Sequence, residues 1–86
     1  MRYNLDILRA IADETRLQIL LSLRKKDMNV TELVSIVKKS QPNVSLALRK
    51  LEQASLISKS KKGKMIIYRL SRKELLQKIL ELIHEK

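Results

Sequence analysis

The residues best placed to do chemistry in this 86-residue chain are its cations, and they are gathered in one stretch. Between Lys38 and Lys73 stand eleven Lys and Arg residues against a single acid, Glu52, so this segment alone carries a charge of +10, equal to that of the whole chain. A basic balance confined to one segment predicts a face that meets phosphates. A solvated Lys-rich surface of the thermophile kind is the plainer alternative. Inside the segment, Gln41, Asn43, Ser45, Arg49 and Lys50 offer amide, hydroxyl and cationic donors, with Leu46 among them. Those groups match the donor and acceptor patterns that base pairs present in a major groove, and a leucine can meet a thymine methyl.

Other chemistries find no constellation. There is no cysteine, which removes disulfides, thiolate metal sites and cysteine nucleophiles together. The one histidine, His84, has only Glu81 and Glu85 beside it, and a surface histidine is the better reading than a metal ligand. The carboxylates follow helix caps and polar faces, so no catalytic set assembles and no enzyme, cofactor or metal is expected. The apolar runs Ile19–Leu21 and Met65–Tyr68 are far too short for a membrane span, and Met1-Arg2-Tyr3-Asn4 does not open a signal peptide. A soluble intracellular protein of one domain, residues 1–86, is the expectation.

The elements that position these residues can be read from periodicity and capping. A first helix is predicted from about Tyr3 to Ala12, where Leu5, Leu8 and Ala12 make an apolar stripe widened by Ile7 and Ile11. Asp13 reads as the N-cap of a second helix that carries Leu17, Ile19, Leu20, Leu21 and Leu23 and ends in Arg24-Lys25-Lys26. Asn29 and Glu32 form a capping box for a third helix, with Met28 and Leu33 as its staple and Leu33, Ile36 and Val37 facing inward. After the turn Lys38-Lys39-Ser40, Ser40 caps a fourth helix, about Gln41 to Ala54, with Pro42 in its first turn. Val44, Leu48 and Leu51 bury one stripe of it, while Pro42, Asn43, Ser45, Leu46, Arg49, Lys50 and Gln53 lie opposite.

Beyond Ile57 the pattern turns strand-like, with a hairpin turn at Lys62-Gly63 and the chain's only glycine supplying a positive φ. Lys59, Lys61, Lys62 and Lys64 are placed at the hairpin tip, as a wing that touches phosphates; an edge-strand solubility device is the simpler reading. A last helix, about Arg72 to Glu85, sets Leu75, Leu76, Ile79, Leu80, Leu82 and Ile83 inside an apolar arc of about 160°, more than one core requires. Such an arc is shared with a partner or packs wholly within the chain. The fold class is mainly α with a small β-hairpin wing, in the order α-α-α-α-β-β-α.

Three strings resemble the ArsR-type family of repressors. They are Leu8-Arg9-Ala10-Ile11-Ala12-Asp13-Glu14-Thr15-Arg16-Leu17-Gln18-Ile19-Leu20, Ser40-Gln41-Pro42-Asn43-Val44-Ser45 running on to Ala54-Ser55-Leu56-Ile57, and Gly63-Lys64-Met65-Ile66-Ile67-Tyr68-Arg69-Leu70. The resemblance implies a winged helix-turn-helix homodimer built on the first and last helices, through Leu5, Leu8, Leu76, Ile79, Leu80 and Ile83. Where metal-sensing members carry two cysteines, this chain has Asn29 and Thr31. Leu46 and Ala47 stand where many members have Arg-His.

Sequence-specific binding of double-stranded DNA as a repressor is the leading expectation. Gln41, Asn43, Ser45, Leu46 and Arg49 then lie near base edges, while Lys39, Ser40, Lys50, Lys59, Lys61, Lys62 and Lys64 hold the backbone. A weakly specific architectural DNA protein differs by a steep salt slope with little sequence preference. A winged-helix protein-interaction module differs by having no DNA affinity. The sequence assigns no effector ligand.

Overall fold

A computed structural model describes residues 3 and 5–85. Met1, Arg2, Asn4 and Lys86 lie outside the described residues, and with them most of the N-terminal string read above. Five helices and one hairpin follow in the order α1 (Leu5–Ile11), α2 (Glu14–Lys25), α3 (Val30–Val37), α4 (Gln41–Gln53), β1 (Ile57–Lys62), β2 (Met65–Leu70) and α5 (Lys73–Ile83).

The starts of α2, α3 and α4 are each fixed by a side chain that satisfies an orphan backbone N–H, whereas Arg72 before α5 makes no such bond. The Arg16 N–H donates to Asp13 Oδ2 at 2.9 Å, which starts α2. Arg16 then returns its guanidinium to α1, donating to the carbonyls of Ala10 (2.8 Å) and Arg9 (3.0 Å), so one residue closes α1 and anchors it to α2. At α3 both halves of the capping box form: Glu32 N–H to Asn29 Oδ1 at 2.8 Å, and Asn29 N–H to Glu32 Oε1 at 3.1 Å. Ser40 caps α4 by accepting from the Asn43 N–H at 3.3 Å.

The Asn29 N–H, helped by Lys26 at 3.3 Å, holds the Glu32 carboxyl below its usual pKa against a small opposing desolvation. A carboxylate whose folded pKa is depressed stabilises the fold above its unfolded pKa, and the contribution is lost as pH falls through the folded value. Glu32→Gln keeps the capping geometry without the charge. It should therefore flatten the acid limb of stability below about pH 4.5, the ordinary glutamate range, as read by urea unfolding at a series of pH values. Retention of the full wild-type slope would contradict this.

With one glycine in the chain, two helix ends place side-chain-bearing residues in the left-handed region: Lys38 (φ 57°) after α3 and Ser55 (φ 60°) after α4. At Ser55 the bonds are those of a Schellman motif, Leu56 N–H to Leu51 O (3.0 Å) and Ser55 N–H to Glu52 O (2.9 Å). Relief of the left-handed strain, less the extra entropy of an unfolded glycine, should make Ser55→Gly more stable by about 0.5–1 kcal/mol. The check is a higher urea midpoint at unchanged m; an unchanged or lower midpoint counts against it.

The hairpin is antiparallel and in register from Ile57↔Leu70 at its base to Lys62↔Met65 at its tip. Its two-residue loop is therefore Gly63-Lys64, one residue later than the sequence pattern suggests. Gly63 has φ 61° and Lys64 does not, the φ pattern of a II′ turn. Met28 adds a bridge to Tyr68 through a reciprocal pair of hydrogen bonds (2.8 and 3.1 Å), so the segment before α3 extends the sheet.

One aliphatic core joins all elements, with Ile19, Leu20, Leu23, Leu33, Val44, Leu48, Leu51, Leu56 and Leu76 nearly or wholly inaccessible. Three expectations change here. Ile36 is 51% exposed, because the short α3 turns Leu33 and Val37 inward and leaves Ile36 on the far side. Leu76, expected at a dimer interface, is 1% exposed and packed in its own chain's core. Leu82, placed inside the apolar arc, is 84% exposed. The α1 stripe also divides: Ile7, Ala10 and Ile11 join the core, while Leu5 and Leu8 point outward.

Candidate nucleic-acid interface

Helix α4 is held by its buried stripe, Val44, Ala47, Leu48 and Leu51, each larger side chain contributing about 1.5–3 kcal/mol by burial. At about 100° per residue, Pro42 and Gln53 fall within about 10° of the direction opposite that stripe, with Arg49 and Leu46 about 30° to either side. Gln41, Ser45 and Glu52 form one flank and Asn43 and Lys50 the other. All of these are exposed except Ser45 and Glu52, which are half-buried. Leu46 is exposed as read from the sequence. Ala47 is buried, so a larger residue there would meet the core rather than a groove.

Each flank of α4 faces a different element. On one side Glu52 pairs with Lys59 at 3.5 Å and so ties the helix to the wing. Lys59 is therefore not a tip residue: it sits in mid-strand opposite Tyr68, with its charge engaged by the one acid of the basic segment. Arg69 is likewise paired, with Asp27 at 3.1 Å. Lys61, Lys62 and Lys64, around the tip, have no carboxylate within 4 Å among the described residues, nor do Lys39, Arg49 and Lys50. On the other flank, Asn43 and Lys50 look across a cleft to Asp13, Thr15 and Arg16 at the start of α2. Sequence reading missed Thr15 and Arg16 as neighbours of α4, since nothing local links positions so far apart in the chain.

The expected dimer residues separate by exposure. Leu5, Leu8 and Ile83 are exposed, Ile79 and Leu80 are half-buried, and Leu76 is internal. Leu8 and Ile83 line one apolar groove between α1 and α5. No group of three or more potential metal-ligating His, Cys, Asp or Glu side chains occurs among the described residues. None of the described helices is long and apolar enough to cross a membrane.

A helix pair with a tight turn, an exposed polar second helix and an adjoining hairpin define a winged helix-turn-helix protein. The family model for the bacterial regulatory protein, arsR family, matches residues 13–59. The transcriptional regulator KmtR of Mycobacterium tuberculosis is 37% identical over 78 residues, 91% of this chain and 60% of KmtR. The transcriptional activator HlyU of Vibrio cholerae is 36% identical over 91% of this chain and 71% of its own length. The structure of reduced HlyU superposes with a TM-score of 0.81 at 31% identity, covering 94% of this chain and 88% of that one. At 20% identity, a homodimeric winged helix-turn-helix DNA-binding domain from Mycobacterium bovis shares the fold, with a TM-score of 0.80 over 91% of this chain and 74% of its own. The chain belongs to the arsR family of bacterial regulatory proteins. It spans about three-fifths of the length of the Mycobacterium tuberculosis regulators it matches.

Proposed function

We propose that the chain is a sequence-specific, double-stranded DNA-binding transcriptional repressor that acts as an intracellular homodimer over residues 1–86. The observation that carries this reading is the exposed face of α4, locked in place by the buried stripe behind it and flanked by unpaired lysines of the wing. Arg49 and Leu46 stand at the centre of the reading face, Gln41 and Ser45 toward the wing, and Asn43 toward α2. Lys61, Lys62 and Lys64 reach the backbone or the neighbouring minor groove, and Lys39, Ser40 and Lys50 the backbone beside α4. Lys59 contributes less, because Glu52 already neutralises it.

Two copies meet through the exposed leucines of α1 and the end of α5, setting two α4 helices ~34–36 Å apart on a pseudo-palindrome. Promoter occupancy is the consequence that this surface produces by itself, and it makes repression the assigned outcome. With no cysteine in the chain, thiolate metal sensing is not part of the mechanism. The reading needs no catalytic step and no cofactor.

The test is a titration against random duplex and against duplex selected from a random pool, at two salt concentrations. A selected pseudo-palindrome bound about a thousandfold above random DNA is the expected result. Uniform, salt-steep binding points to an architectural role instead. Absence of binding leaves a protein-interaction module.

A further inference from the structure

The flank of α4 that faces α2 is shaped differently from the reading face. Two clefts of about 290 Å³ each run along it. They share Arg16 and Lys50 and so form one continuous trough between α4 and the junction of α1 with α2. The α4 side of the trough extends from Asn43 to Gln53, about 15 Å at 1.5 Å per residue. Its charged walls are already partly spent. Arg16 is turned to the α1 carbonyls, Asp13 accepts the Arg16 N–H, and Arg9 lies 3.5 Å from Asp6. Beside the Asp13 carboxylate the cleft is lined by a cationic excess: Arg16, together with Lys39 and Lys50, which have no carboxylate within 4 Å among the described residues, and by the half-buried Thr15, whose hydroxyl makes no hydrogen bond among them.

We infer that this trough seats the phosphodiester backbone of one DNA strand, with Thr15 Oγ1 donating to a phosphate oxygen between the ammonium groups of Lys39 and Lys50. The inference rests on the DNA-binding reading above and adds to it a helix, α2, which that reading does not use. Its physical basis is complementarity: a phosphate accepts from a hydroxyl and two cations, whereas a base edge would leave both lysines without a counter-charge. Asn43, on the same flank, then contacts backbone more than base.

The experiment compares Thr15→Val, Thr15→Ser and Lys39→Gln with the wild-type chain on selected and random duplexes across a salt series, with thermal melting to confirm folding. Thr15→Val is expected to weaken both duplexes by the same factor, about five- to tenfold, without altering the salt slope. Thr15→Ser, which keeps the hydroxyl, should bind as wild type. Lys39→Gln should reduce the magnitude of the slope by about 1.8, because the homodimer loses one phosphate contact in each half-site. Wild-type affinity in folded Thr15→Val, or a loss confined to the selected duplex, overturns the trough while leaving the DNA-binding reading intact. If the wild-type chain binds neither duplex, the DNA-binding reading fails and the trough assignment with it.

Discussion

Arg49→Ala is expected to abolish most of the discrimination between the selected pseudo-palindrome and random DNA while leaving random binding nearly unchanged. Arg49 lies close to the outermost line of α4, has no carboxylate within 4 Å among the described residues, and sits a full turn beyond Ser45. A guanidinium there reaches the two acceptors of a guanine, a contact worth about 1–3 kcal/mol of discrimination. In a homodimer the change strikes both half-sites, so the combined loss is about 2–6 kcal/mol if the sites act independently. Because α4 is held from its other side by Val44, Leu48 and Leu51, truncation at Arg49 should not disturb the fold. Competition titration of the two duplexes checks this. An equal loss on both would mean that Arg49 holds a phosphate and reads nothing.

Ile83→Asp should separate the dimer while leaving each chain folded. Ile83 is 54% exposed at the end of α5, beyond Leu76, which alone on that helix is sealed in the core. An isologous interface would place two such aspartates in one apolar patch, where each charge is desolvated without a partner. Sedimentation at concentrations where the wild type is dimeric should show monomer with an unchanged circular dichroism spectrum. Affinity for the pseudo-palindrome should fall by about a hundredfold or more, since the second half-site no longer benefits from a tethered copy. Random DNA should be affected far less. A dimer that survives the substitution would place the interface elsewhere.

These two substitutions fall on opposite sides of what the sequence could tell. The exposed face of α4 was legible because the period of Val44, Leu48 and Leu51 determines which residues point away. The proposed dimer face was legible only as an excess of leucine and isoleucine. Hydrophobic spacing shows that an arc is wide, but not where the chain's own core ends and a partner begins. Leu76 and Leu82 both belong to that arc; 1% and 84% exposure assign them to opposite environments. Ile36 fails for the same reason, as an apolar residue in a short helix whose inward side is already filled by Leu33 and Val37.

Features that rest on contacts within a few residues are legible from the amino-acid order alone. Asp13, Asn29 and Ser40 start three helices because each oxygen reaches an N–H three positions on. Gly63 turns the hairpin because it alone lacks the Cβ that penalises a positive φ. Folding set the features that depend on segments distant along the chain. It neutralised Lys59 with Glu52, joined Met28 to the sheet through Tyr68, and set Thr15 and Arg16 beside Lys50 to open the trough along α4. It also imposed left-handed backbone on Lys38 and Ser55, which carry no glycine signal. Packing of the flanking elements outweighs a local strain of about 1 kcal/mol, and that balance is written in the core rather than in the residue at the turn.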